Sequence, residues 1–311
     1  MKKIVAISLA AILVLFLAAC GDKDKEEGEG ASNETIEVEH ELGTTTVEKN
    51  PEKVVVFDFG ALDTLDALNI EVTGLPGAVM PSYLEKYDSE EYEDVGSLKE
   101  PDFDKIAEID PDLILISGRQ GDLYDELSKL GPTIYVGVDT TRYMDSFKEN
   151  VNIIAEIFEK EDEAAQKIEE IERSIDELHE KAQDSGKKGL IILANDDKIS
   201  AYGPSSRFGL IHDVFGVEPV DTNIESSTHG MNVSFEYVTE MDPDILYVID
   251  RTAAIGDESN IQELVENKLV EKTTAYENDD IYYLHADNWY LSGGGLISVE
   301  NMITEIEDSL E

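Results

Sequence analysis

The chain has 311 residues, of which 41% are apolar, enough for one large or two ordinary packed domains. Seventy acidic against 24 basic side chains leave a net charge of −46, which excludes a nucleic-acid partner, since phosphate binding needs a basic face. A single cysteine excludes a disulfide framework and any CxxC-type zinc or redox site.

The N-terminus reads as an export and anchoring signal. Met1-Lys2-Lys3 precedes an uncharged, apolar run from Ile4 to Ala19, shorter than the roughly 20 residues that a bilayer span needs. Leu17-Ala18-Ala19-Cys20 matches the bacterial lipobox, so residues 1–19 are expected to be a signal peptide and Cys20 the lipidated first residue of the mature chain. Acyl chains, at about 0.8 kcal/mol per buried CH₂, would then hold the protein on the membrane from outside the cytoplasm. Residues 20–35 form a Gly- and charge-rich tether with a reach of roughly 20 Å.

Ile36–Val47 alternates in the manner of a hairpin, and Lys53–Phe59 has the composition of a buried strand. Helical stretches (Ala61–Leu68, Phe103–Ile109, Leu123–Leu130) then alternate with short apolar strands (Leu113–Ser117, Ile134–Val136), the pattern of parallel βα units. From Tyr143 to Ala182 the pattern is helical, with a break near Lys160-Glu161 and an end at Ser185-Gly186. A second α/β series begins at Lys188–Asn195. The expected fold is α/β, with two Rossmann-like lobes, 36–160 and 187–311, bridged by one long helix, 161–186, and a ligand cleft between them.

An internal repeat supports two similar lobes. Phe103–Arg119 aligns without gaps on Phe235–Arg251, with six of seventeen positions identical at a constant offset of 132. Each copy encodes a helix, an Asp-Pro-Asp turn, a buried strand, and an arginine just past the strand. Ligands of open α/β sheets gather beyond strand C-termini, so the two arginines point to a cleft that grips an anion from both sides.

The chain has five arginines. Arg173 lies on the long helix with Glu169 and Glu177 four residues away on either side and is expected to pair with them. Arg142 opens a helix without special context. Arg119, Arg207 and Arg251 all fall in βα-type connections, where sites form. An anion can bind despite the negative total, because charges beyond a Debye length of about 8 Å are largely screened at physiological salt. An arginine about 4 Å from a ligand charge contributes up to roughly 4 kcal/mol at an effective dielectric of 20, before desolvation.

Among the five histidines nothing resembles HExxH or a three-His site, so a free zinc or manganese binder is not expected. His229 lies in a polar turn, and Asn288–Gly295 (NWYLSGGG) has the composition of a loop before the last helix. No GxSxG or comparable catalytic spacing points to an enzyme.

The lipobox, the two α/β lobes with one long helix, FDFGALDTLDAL, the SGR and IDR strand ends, STHGMNVSFEYV and NWYLSGGG together resemble the catecholate siderophore-binding lipoproteins of ABC iron importers, most of all the petrobactin/enterochelin-binding group. The resemblance implies a class III periplasmic-binding-protein fold with small closure, a ferric catecholate siderophore as ligand, no intrinsic cofactor, and delivery to an ABC permease by a membrane-anchored monomer. It implies an arginine triad, Arg119, Arg207 and Arg251, facing the anionic complex. It also implies that His229 and Tyr290 fill iron positions left open by a tetradentate siderophore. Trp289 is expected to line the flat catechol rings, and Asp63, Asp66 and Asp213 to dock the permease. The same fold with another cargo (haem, cobalamin, ferric hydroxamate or ferric citrate) is the alternative.

Overall fold

A computed structural model describes residues 34–77, 79–196 and 198–311. The signal-peptide reading of residues 1–19, the lipidation of Cys20 and nearly all of the tether lie outside the described residues. Among those described, no helix is long and apolar enough to cross a membrane.

The hairpin forms as its alternation predicts. β1 (Thr35–His40) and β2 (Gly43–Glu48) pair antiparallel, with Val38 and Val47 buried. A five-stranded parallel sheet follows, built from β3 (Val54–Val56), β4 (Gly74–Leu75), β5 (Glu93–Asp94), β6 (Leu113–Ile116) and β7 (Thr133–Tyr135), in the order β5-β4-β3-β6-β7. Every residue of β3 and β6 is buried, which is why these strands read as continuous apolar runs without alternation.

The chain leaves this sheet through two helices, Tyr143–Ile157 and Glu161–Ser185, separated where Glu159 takes a left-handed φ of 54°. The long helix buries Ala164, Ile168, Ile171, Ile175, Leu178 and Ala182, a stripe at helical spacing, and ends at Gly186 with φ 62°. Arg173 departs from expectation: it is exposed and forms no ion pair within 4 Å among the described residues. Arg142 has more context than its sequence suggests, since it grips Glu149 through two hydrogen bonds of 2.6 and 2.8 Å. The helix expected over Leu123–Leu130 is shorter, a 3₁₀ turn at Gly121–Leu123 running into Tyr124–Leu127.

The second sheet comprises β8 (Lys188–Asn195), β9 (Lys198–Tyr202), β10 (Glu218–Pro219), β11 (Met231–Val233), β12 (Ile245–Asp250) and β13 (Ile281–Leu284). Its order is β11-β9-β8-β12-β13, with β10 paired to the start of β8. β8, β12 and β13 run parallel, whereas β9 is antiparallel to both β8 and β11. The last helix, Leu296–Asp308, returns to pack on the long helix and on helix Phe59–Ala67 beside the first sheet.

The repeat is structural as well as sequential. Both helices, Phe103–Ile109 and Phe235–Met241, end on the first aspartate of Asp-Pro-Asp in a left-handed conformation, Asp110 at φ 54° and Asp242 at φ 47°. The second aspartate of each copy ties the neighbouring strand. Asp112 Oδ2 accepts from Lys53 N at 2.9 Å, before β3, and Asp244 Oδ2 accepts from Lys188 N at 2.8 Å, at the start of β8. The Asp-Pro-Asp turn therefore sets the stagger of the central strand pair in each sheet.

Candidate functional site

In each sheet the chain starts in one central strand, winds outward, then returns to the other side. The two switch points fall between β3 and β6 and between β8 and β12. Such points leave a crevice beyond the strand ends. Asp58 and Ser117–Arg119 follow β3 and β6, while Asn195 and Asp250-Arg251 close β8 and β12. Each switch point therefore presents one arginine.

Between these ends lies a cavity of about 570 Å³, lined from one side by Asp58, Ser117, Arg119, Tyr135 and Tyr143 and from the other by Arg207 and Thr228, with Trp289 and Tyr290 between. A smaller cavity of about 210 Å³ adjoins it and is lined by Asn195, Arg207, His229, Arg251 and Tyr290 among others.

Tyr290 is where the three arginines meet. Arg119 Nη2 donates to its backbone carbonyl at 2.9 Å and Arg207 Nη2 to the same oxygen at 2.7 Å. Arg251 Nε donates to the Tyr290 hydroxyl at 2.9 Å, while its Nη1 donates to Asn195 Oδ1 at 2.6 Å. The Arg207 guanidinium also sits over the Tyr290 ring, 4.2 Å from its centroid. Burial alone would raise the Tyr290 hydroxyl, but the Arg251 hydrogen bond and the charges of Arg207 and Arg251 outweigh it and hold the group below its ordinary value. Burial, helped by the like charge of Arg119, makes the Arg207 guanidinium easier to deprotonate than an ordinary arginine.

The segment carrying Tyr290 is not the loop that its composition suggests. Asp287–Ser292 winds as a short π-helix that ends at Gly293 with φ 65°. Carbonyls at a helix end have no partner within the helix, and here those of Tyr290 and Leu291 are met by arginines. The three glycines that follow have separate reasons. Gly293 supplies the left-handed turn, a side chain on Gly294 would come within 2.6 Å of Val138 Cγ2, and one on Gly295 would collide with Asp63 and the Gly60 carbonyl.

The remaining expected residues divide. His229 is exposed and shares the smaller cavity with Tyr290. Trp289 reaches the cavity wall but is 4% exposed, with its ring edge-on to Phe215 in the core and its Nε1 without a hydrogen-bond partner among the described residues. Asp213 is exposed and accepts from Ser205 N at 2.5 Å. Asp63 requires a correction. It is 0% exposed and accepts from Ile297 N, Ser298 N and Tyr83 Oη, so it offers nothing to a docking partner. Asp66 is also engaged, by the Lys86 ammonium and by Tyr87 Oη.

Asp58, Tyr135, Tyr143 and Asn195 escaped the sequence reading. Burial raises the Asp58 carboxyl despite hydrogen bonds from Ser117 and Ala61 and the nearby Arg119 charge, and raises Tyr135 to about 12. Asp58 lies just past the buried strand β3 and Asn195 is the last residue of β8, which was the one available signal. Among the described residues no His, Cys, Asp and Glu side chains are grouped to hold a metal ion.

Residues 54–288 match the family model of periplasmic binding proteins. The chain belongs to that family. This binding protein is 51% identical to the petrobactin-binding protein YclQ of Bacillus subtilis, over 100% of both chains. The crystal structure of YclQ superposes with a TM-score of 0.88, covering 89% of this chain and 99% of that one. The ferric-anguibactin-binding protein FatB of Vibrio anguillarum is 33% identical over 97% of this chain and 96% of its own. The catecholate-siderophore-binding protein VctP of Vibrio cholerae matches at 35% identity and a TM-score of 0.84, covering 88% of this chain and 100% of its own.

Proposed function

We propose that this binding protein captures a ferric catecholate siderophore in the cleft between its sheets and delivers it to an ABC permease. It does so from outside the cytoplasm, held to the membrane by a lipid on Cys20. In this proposal residues 36–160 and 187–311 act as the two lobes and 161–186 as their connection, with the exposed Asp213 among the acids that meet the permease.

The observation that carries it is the convergence of Arg119, Arg207 and Arg251 on Tyr290 at the walls of the 570 Å³ cavity. A ferric ion in catecholate oxygens carries net negative charge. Each guanidinium has five N–H donors, and those given to Tyr290 leave others free for the ligand. Tyr290 also supplies a hydroxyl whose proton is held less tightly than usual, and His229 an imidazole on the same small cavity, a pair suited to complete the sphere of an iron chelated by only four siderophore oxygens. The relatives named for petrobactin and for catecholate siderophores support the ligand class.

Titration of the mature protein with ferric bis-catecholate, tris-catecholate and hydroxamate complexes tests this. The expected result is saturable quenching of Trp289 by the catecholates and a shift of the iron charge-transfer band with the tetradentate ligand alone, abolished by Tyr290→Phe. Alanine at each arginine should weaken binding by about tenfold or more, as for any lost charged hydrogen-bond partner. Unchanged catecholate affinity in the triple-alanine variant would refute the arginine assignment, whereas no quenching by any catecholate would favour a ferric hydroxamate or citrate cargo.

A further inference from the structure

The strap that carries Tyr290 belongs by sequence to the C-terminal half, yet it is held largely by residues 63–143. Ser82 donates to Asp287 Oδ2 from its backbone N–H at 2.9 Å and from its hydroxyl at 2.6 Å. Tyr83 Oη lies 2.6 Å from Ser292 Oγ and 3.1 Å from Asp63 Oδ2, and Tyr143 Oη donates to the Gly293 carbonyl at 3.0 Å. Just past the strap, Ile297 N and Ser298 N donate to Asp63 Oδ1 and Oδ2 at 3.2 and 3.0 Å. These are first-turn N–H groups of the last helix, which have no partners within the helix.

Asp63 is thus a fully buried acid to which the capture of ligand gives no task. Burying a carboxyl is costly, and an apolar side chain of similar size would fill the space without that cost. What an apolar residue would not do is fix direction. Asp63 ties helix Phe59–Ala67 to the helix behind the strap, and the clamp has no slack, because only a glycine fits at 295 against Asp63 and the Gly60 carbonyl.

We propose that Asp63 is a positioning residue for the strap. By clamping the start of the last helix to the first lobe, it sets the place from which Tyr290 presents its carbonyl to Arg119 and Arg207 and its hydroxyl to Arg251. Its effect on affinity rests on the proposal that these four residues face the ligand; its effect on the strap does not.

The test exploits Trp289, the only tryptophan of the chain, which sits in the strap and is buried. In Asp63→Asn its emission should shift to the red, its quenching by acrylamide should rise about twofold, and affinity for a ferric bis-catecholate should fall about tenfold, the scale of one lost buried hydrogen-bond partner. Ser309→Ala is the control. It removes the partner of Tyr247 Oη at the far end of the same helix and should lower the melting temperature while leaving Trp289 and affinity unchanged. If Asp63→Asn merely lowers the melting temperature as Ser309→Ala does, the proposal is overturned. Should Asp63→Asn fail to fold, Tyr83→Phe, which removes the hydroxyl between Asp63 and Ser292, must move Trp289 in the same direction, and an unmoved Trp289 there also overturns it. A Trp289 shift in a protein whose wild type binds no ferric catecholate would uphold the clamp and sink the ligand assignment alone.

Discussion

Two side chains near the cleft carry opposite electrostatic signatures. Tyr290 is partly buried but surrounded by guanidinium groups, so its ionised form is favoured; Asp63 is fully buried with neutral donors, so its ionised form is disfavoured. Burial raises the Asp63 carboxyl from 3.8 to about 7, and the hydrogen bonds from Ser298, Ile297 and Tyr83 offset only part of this. In the unfolded chain Asp63 ionises near its ordinary value, in the folded chain about three units higher. Its contribution to stability is therefore full below that ordinary value and is lost as pH rises through the folded value. Between about pH 5 and about pH 7 this lowers stability by about 1.4 kcal/mol per pH unit, and above that range the effect levels off. Asp63→Asn cannot ionise and should lack that part of the slope. Urea melts of both proteins across this range decide it, and identical pH profiles would mean that Asp63 stays ionised throughout. At this scale the arginines were legible, because only five exist and three fall in connections between strand and helix. Tyr135 and Tyr143 were not, since nothing in spacing separates them from eleven other tyrosines. Asp63 was misread as a surface acid although it lies between Leu62 and Leu65 on a helix buried from Phe59 to Leu65, which has no polar face in that stretch to hold an acid.

The Asp-Pro-Asp turn was visible as a sequence repeat, and the structure supplies its reason in the second aspartate, which holds the start of the adjacent central strand. Asp112 accepts the Glu52 and Lys53 N–H groups just before β3 and Asp244 accepts the Lys188 N–H that opens β8, and each is followed by a buried strand. Asp112→Ala and Asp244→Ala should each cost about 1 kcal/mol, the usual net worth of such a hydrogen bond. Because the two sites lie in different sheets, the double variant should lose the sum. Denaturant melts would expose a failure: a variant that loses no stability would show that its aspartate does not hold the strand. The Tyr290 strap is the opposite case. Besides its ties to Glu305 and Asn301 of the last helix, it is held by Ser82, Tyr83, Arg119 and Tyr143, between 150 and 209 residues away in the chain. No local pattern announces a π-helix whose bonds come from so far, so NWYLSGGG could only be read as a loop.

On the scale of the whole molecule, two α/β series were legible because helix and strand periodicities are local, whereas the crossing of the last helix back onto helix Phe59–Ala67 beside the first sheet was not. The net charge of −46 acts at this scale too, and it would oppose the approach of the anionic ligand that the proposed function assigns to the three arginines. The two effects differ in range. At about 0.01 M salt the Debye length is about 30 Å and the acidic surface is felt well outside the cleft; at about 0.15 M it is about 8 Å, so only groups beside the ligand act. Added salt should therefore raise the association rate constant of a ferric catecholate, by removing long-range repulsion, while the dissociation rate, governed by contacts a few ångströms long, changes little. Stopped-flow quenching of Trp289 across that salt range measures both constants. An association rate that falls with salt would show that the arginines project a positive field out of the cleft strong enough to steer the ligand against the charge of the whole protein. In that event Arg207→Ala or Arg251→Ala should reverse the sign of the salt dependence, whereas repulsion by the acidic surface would survive either substitution.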